Sequence, residues 1–541
     1  MQIKANLVDI LQQKIYAAQI TVQNQRITAI EPINEQVTTY ILPGFIDAHV
    51  HVESSMLIPT EFARLSVVHG TVATVSDPHE IGNVLGIKGV EYMLDNAAKT
   101  PFKICFGAPS CVPATDFETA GATITPAEIE ILLQKPQIGY LSEMMNYPGV
   151  LYNDPIVHQK LAIAKRLNKP IDGHAPGLMG EQARQYISAG ISTDHECFTE
   201  AEALNKLNYG MKILVREGSA AKNFEALAPL LHQHWQMMMF CSDDKHPDDL
   251  IHGHINLLVK RALAKGVDLF KVLNVACLNA ITHYKLDVGR LQLGDWADFI
   301  VVDNLSDFNV LETYINGQLV AQNGQTLLPS VAEAPINHFN IAYKQPSDFA
   351  LKATHTHIRV IEAIDGEIVT KSSTAAAYIV DGYAVSDVPN DILKITVVNR
   401  YQNAPPAVAF IKNFGLQRGA IASTVAHDSH NIIAVGVDDQ SICQAVNLLV
   451  DAQGGVAAFD GQTGLVLPLP VAGLMTNIDG YQAAHLYAAI DAMAKQMGAK
   501  LKAPYMSLSF MALLVIPSLK LSDKGLFDGT RFAFEDLFVN A

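Results

Sequence analysis

Between residues 44 and about 285 the chain repeats one unit: a short apolar run followed by an amphipathic stretch with helical spacing. The apolar runs fall at 44–51, 71–77, 102–110, 138–144, 170–174, 192–196, 211–219 and 238–244. Short runs without polar alternation suit strands covered on both faces, which is where a parallel sheet puts them. Eight such strands alternating with helices over roughly 240 residues predict a (β/α)₈ barrel, an architecture that typically takes about 250. Few other folds satisfy that count and order.

The segments on either side obey a different period. Residues 1–43, with KIYAAQITVQNQRITAIEP, alternate apolar and polar side chains, and so do VGRLQLGDWADFIVVDN and VLETYINGQLVAQNG after the barrel. Neither part suffices for a sheet with a core of its own. We therefore expect 1–43 and 286–335 to form one discontinuous β-sandwich flanking a barrel of residues 44–285. Residues 336–541 mix strand-like segments such as LKITVVNR with an apolar helix at HLYAAIDAMAKQMG, which predicts a C-terminal α+β domain. No low-complexity linker precedes it, so firm packing on the barrel is expected.

In such a barrel the reactive groups lie at the carboxyl ends of the strands. This chain places metal-capable side chains there repeatedly. His49 and His51 end the first strand in GFIDAHVHVESS, and alternate residues of a strand point the same way, so both imidazoles can face one cavity. Asp77, His79 and Glu80 end the second, Glu143 the fourth, His174 the fifth, His195 the sixth, Arg216 and Glu217 the seventh, and Asp243 and Asp244 the eighth. A lone strand-end histidine is more often a hydrogen-bonded structural residue. Four histidines and two carboxylates converging on one rim would leave costly unpaired groups without a cation. A binuclear centre explains them, with His49, His51 and Asp243 on one ion, His174 and His195 on the other, and Glu143 bridging. Asp47 can orient an imidazole from behind.

The remaining histidine pairs have plainer readings. His232 and His234 lie in a helical stretch, where residues two apart diverge. His252 and His254 suit a capping or substrate-side role, and His355 and His357 an exposed strand face. His427, Asp428 and His430 cluster in AHDSHN, for which a third metal site, a face closing over the barrel mouth and a structural turn all stay open. The H-x-E of His51 and Glu53 is not followed by P-C-x-x-C, which excludes the nucleic-acid-type zinc deaminase fold.

Charge narrows the partners. A formal net charge of −16 without a basic run argues against nucleic acid, whose binders neutralise phosphates. The six cysteines have no CxxC pairing, as expected of reduced thiols, and no stretch of about 18 uncharged apolar residues suggests a membrane span. We expect a soluble cytoplasmic protein, a homo-oligomer with a small-molecule substrate and no membrane or nucleic-acid partner.

The stretches LPGFIDAHVHVESS, SDPHEIGNVLG, SEMMNYPGV, DGHAPGL, STDHE, VREGSAAKN and CSDDKHPDDL, with GRLQLGDWADFIVVD after the barrel, closely resemble the bacterial adenine deaminase family of the amidohydrolase superfamily. The likeness covers nearly the whole chain. It implies a metal-dependent hydrolase barrel with a flanking β-sandwich and a family-specific C-terminal domain, a site holding two divalent ions, Mn2+ or Fe2+, and hydrolysis of adenine to hypoxanthine and ammonia in purine salvage or catabolism. Where some superfamily members use a carboxylated lysine on the fourth strand, IGYLSEMMNYPG has none, so Glu143 takes the bridge. A hydroxide shared by two ions would attack C6 of adenine, with Asp243 passing the proton. His79, Glu80, Arg216 and Glu217 are the candidates for ring-nitrogen contacts. The resemblance matches Asp243, the first aspartate after Ser242, to the ligand and proton shuttle, and strand alternation turns Asp244 toward the following loop, where it could cap a helix starting near Pro247. Two other readings are a hydrolase of another purine or pyrimidine base and a purine-binding homologue without turnover.

Overall fold

The computed structural model describes residues 1–540. Its centre is a closed parallel barrel of eight strands: β1 (Phe45–Val50), β2 (Thr71–Ser76), β3 (Lys103–Ala108), β4 (Ile138–Met144), β5 (Ile171–Gly173), β6 (Thr193–Asp194), β7 (Lys212–Arg216) and β8 (Met238–Cys241). β1 to β5 pair in sequence order, as do β6 to β8. Backbone hydrogen bonds close the two seams: Ser192 N donates to Ile171 O at 2.9 Å, and Asp243 N donates to His49 O at 2.9 Å. β1 and β2 are buried at every residue, as strands roofed by helices outside and packed side chains inside must be. At Gly44, just before β1, a Cβ would fall 2.3 Å from a Val72 methyl carbon. Only glycine lets the chain enter the barrel so close to its neighbour.

The barrel helices start on side-chain signals. Thr125 and Glu128 form a reciprocal capping box before Pro126–Leu133, and Asp154 and Thr199 accept hydrogen bonds from the first turns of Pro155–Arg166 and Glu200–Asn208. The N-terminal strands and the returning segment Phe299–Thr326 join in a single eight-stranded sheet, in which Phe299–Val302 runs antiparallel to Tyr40–Pro43. One face of that sheet holds its own core, in which Leu7, Ile20 and Ile41 pack with Phe299, Val301 and Tyr314. Each part needs the other to bury its apolar side.

The C-terminal region carries a mixed nine-stranded sheet flanked by helices Asp439–Ala452 and Gly480–Gln496. A continuous apolar core runs from the barrel into this region, taking in Val50 and Met144 at one end and Val435 and Leu508 at the other. Polar ties fasten the same face. Thr476 N donates to Met56 O at 2.8 Å, Arg64 pairs with Asp479 at 2.6 Å, and the Tyr487 hydroxyl lies 2.6 Å from His246 Nδ1. The C-terminal region thus sits on the carboxyl-end rim of the barrel. All six cysteines are free. No helix among the described residues is long and apolar enough to cross a membrane.

Candidate metal centre

The strand ends deliver their side chains into one buried space. His49 and His51, two residues apart on the same side of β1, are 0% and 3% exposed. His51 Nε2 lies 3.3 Å from Glu143 Oε1 and 3.1 Å from Asp243 Oδ1, between the carboxylates of β4 and the β8 end. His174 Nδ1 and His195 Nε2 lie 3.0 Å and 3.2 Å from Glu143 Oε2. His49 stacks on His195 with ring centroids 4.2 Å apart, and its Nε2 is 3.5 Å from Asp243 Oδ1. Glu143 therefore offers one oxygen to the His51 side and the other to the His174–His195 side.

Two donor groups overlap here, one of His49, His195 and Asp243 and one of Glu143, His174 and His195, each with ligand atoms within 4.8 Å of one another. Both ring nitrogens of His49, and Nε2 of His174, are buried with no hydrogen-bond partner. Burying an imidazole nitrogen unpaired costs on the order of 1–3 kcal/mol, so these unpaired nitrogens beside the clustered donors suit a cation, and the mix of imidazole and carboxylate suits a divalent transition metal.

The carboxylates and imidazoles strongly shift one another. Burial alone would raise the Glu143 pKa, but His174, His195 and His51 hold the carboxyl well below the usual carboxylate range. Burial likewise opposes ionisation of Asp243, and Arg216 and His195 overcome it, so this carboxyl too is held well below its ordinary value. Burial and the neighbouring His195 lower His49, whereas at His51, His174 and His195 the facing carboxylates outweigh burial and raise the imidazoles, so a metal ion binding there would displace protons.

Asp243 reaches the centre in an unexpected way. β8 ends at Cys241, and Asp243 has φ 55°, in the left-handed region, so a turn of the backbone rather than strand alternation aims its carboxylate inward. Asp244 does not cap the helix at Pro247–Leu250, whose first turn has no side-chain cap. It also borders the cavity, where its Oδ1 accepts from Ser54 Oγ at 2.6 Å. Asp47 does orient an imidazole, but that of His254, at 2.8 Å, and it ties β1 to the β8 end by accepting from Ser242 N at 3.0 Å.

The four expected ring contacts divide. His79 lines the cavity, with Nδ1 3.2 Å from Asp77 and Nε2 3.6 Å from Asp428, and both its nitrogens lack a hydrogen-bond partner. Glu80 stands one layer behind: its Oε1 lies 2.8 Å from Ser54 Oγ and 3.3 Å from His427 Nδ1, and its Oε2 is unpaired. Arg216 reaches the cavity, where one terminal nitrogen is shared by Glu196 and Asp243 and the other, Nη2, is buried without a partner, so it serves the carboxylates and keeps a donor for a ring contact. Glu217 is misplaced by the sequence reading. Just beyond the end of β7, it points away from the cavity, to Arg261 at 2.8 Å and Lys222 at 3.8 Å.

Several residues of the cavity were not singled out in the sequence. Glu196 follows His195 and reaches His195 Nε2 at 3.3 Å; its only signal was that adjacency. In the AHDSHN segment His427 and Asp428 line the cavity together with Ile368, Phe510 and Leu513 of the C-terminal region, and His427 also stands with Glu80 and Asp244 in a group whose ligand atoms could hold an ion. His430 is instead buried behind, accepting from Ala426 N at 3.3 Å.

Comparison with known proteins agrees with this arrangement. Residues 40–320 match the amidohydrolase family and residues 367–533 the adenine deaminase C-terminal domain. The chain is 56% identical over 537 residues to an adenine deaminase of Sulfurovum sp., covering 99% of both chains. The chain belongs to the adenine deaminase family. An adenine deaminase of Salinibacter ruber is 52% identical over 540 residues and one of Methanosarcina mazei 48% over 547, each with 99% of both chains covered. Membership makes the protein a hydrolase of a metal-dependent family, and the buried His, Asp and Glu cluster is where this member can hold metal.

Proposed function

We propose that this protein hydrolyses adenine to hypoxanthine and ammonia with two divalent ions, manganese or iron, bound at the strand ends. In this reading His49, His51 and Asp243 would hold one ion and His174 and His195 the other, with Glu143 available to both. The observation that carries it is Glu143 itself, whose two oxygens face different histidines, Oε1 toward His51 at 3.3 Å and Oε2 toward His174 at 3.0 Å. A carboxylate so shared suits a bridge.

Ions bound there supply acidified water at neutral pH and polarise what they touch. The chain's own groups do the rest. Asp243, kept ionised by Arg216, accepts the proton of the attacking water and returns it to the ring or the departing amine. Glu196, on the other side of Arg216, keeps the guanidinium in place to do so. His79 and Arg216, which line the cavity with buried nitrogens lacking a partner, supply the ring-nitrogen contacts, and Glu80 supports Ser54 and His427 from behind. The apolar wall of Ile368, Phe510 and Leu513 excludes bulk water.

Ammonia release from adenine, cytosine and guanine by protein loaded with manganese tests the proposal. Rapid release from adenine alone is expected. Preference for another base would reassign the substrate, and no release from any would make the chain a binding protein.

A further inference from the structure

We propose that Asp428, carried by the C-terminal region, accepts the N9–H of the free base and makes the enzyme reject purines substituted at N9. The inference rests on adenine being the substrate, with C6 at the metal centre.

The cavity has two unlike ends. One is the ring of His51, His174, His195, Glu143 and Asp243, where the reacting carbon must lie. The other is built by the C-terminal region and is apolar apart from His427 and Asp428. A purine with C6 at the first end points its five-membered ring toward the second. The neutral base carries its one ring N–H there, and that donor needs an acceptor once water is excluded.

Asp428 is the acceptor in reach. It is 3% exposed; its Oδ1 lies 3.6 Å from His79 Nε2 and 3.8 Å from His427 Nδ1, and its Oδ2 is buried with no partner. His427 is itself occupied, 3.3 Å from Glu80 and stacked on Phe510 with centroids 5.4 Å apart. The cavity measures about 30 Å³, room for one or two waters, so the C-terminal wall must yield even for the free base. A group on N9 would remove the donor, leave a buried carboxylate oxygen unpaired and press on Phe510 and Leu513. Sites built to hydrogen-bond a substrate N–H reject analogues lacking it by large factors for this reason.

The test compares adenine with 9-methyladenine on the manganese-loaded wild type, Asp428→Ala and Asp428→Asn, with metal content and thermal melting measured to verify that each variant is folded and loaded. Wild type should favour adenine in kcat/KM by at least about 100-fold. Asp428→Ala should lose about 10- to 100-fold on adenine, mainly through KM, while 9-methyladenine holds steady or improves, so the preference falls at least tenfold. Asp428→Asn, which keeps the shape and one acceptor oxygen, should fall between. Equal losses on both bases in folded, loaded variants would overturn the inference, as would a wild type indifferent to the methyl group. A wild type inert toward adenine would overturn the proposed function and this inference with it.

Discussion

Replacing Asp243 and Asp244 separately by asparagine discriminates between two adjacent carboxylates that both border the cavity. Asp243 Oδ1 faces His51 Nε2 at 3.1 Å and His49 Nε2 at 3.5 Å, and Oδ2 pairs with Arg216. Asp243→Asn keeps the shape but removes the charge and the proton acceptor. General acid–base groups contribute about 10²–10⁴ in rate, so turnover should fall by at least about 10². Arg216 keeps Glu196 as partner, so the buried guanidinium is not orphaned, and the loss of stability should stay at about 1–3 kcal/mol, the cost of one charged hydrogen bond. Asp244→Asn still presents a carbonyl oxygen to Ser54 Oγ, now 2.6 Å from Asp244 Oδ1, and turnover should fall less than about tenfold. The assay is steady-state ammonia release from adenine, with metal content measured on the same samples. The reverse ranking, or equal losses with equal metal content, would refute the assignment of the proton acceptor.

Glu217→Gln should leave kcat/KM unchanged and cost about 1 kcal/mol of stability, because it breaks the pairs with Arg261 at 2.8 Å and Lys222 at 3.8 Å, both away from the cavity; a tenfold loss of activity would contradict its outward placement. Histidine ligands bind only when neutral, so metal and activity should leave together as the solution is acidified; activity lost with the metal retained would implicate an acid–base group instead. Lys520 is fully buried, donates to Ile368 O at 2.7 Å and Phe510 O at 2.8 Å, and is pushed down to about 7 by burial. The fold thus favours the neutral amine while the unfolded chain stays protonated to about 10.4, so this group's contribution to stability rises with pH above about 7, by at most about 1.4 kcal/mol per unit. The thermal midpoint of wild type minus that of Lys520→Met should therefore increase from pH 7 to pH 9, and a flat difference would refute the neutral buried amine.

The barrel was legible because its signal is repeated: apolar runs as uniformly buried as 45–50 and 71–76 are fully enclosed strands wherever they occur. The donors at the strand ends were legible for the same reason, each being fixed by the strand that carries it. Legibility stopped where tertiary contact decides. Glu217 was grouped with Arg216 by proximity in sequence, although it lies just beyond the end of β7 and points away from the cavity. The inward turn of Asp243 comes from a left-handed backbone at a non-glycine residue, which no strand rule anticipates. Asp428 is 184 residues beyond Asp244, and only the packing of the C-terminal region over the rim brings its carboxylate to His79.

The most direct test of a two-ion centre is reconstitution. Chelated, metal-free protein would be titrated with manganese while ammonia release from adenine and bound metal are followed together. Activity should be absent at the start, rise with added metal and level off at two ions per chain, and Glu143→Gln should fail to reach that plateau. Full activity at one ion per chain, or activity in the metal-free protein, would contradict a centre bridged by Glu143.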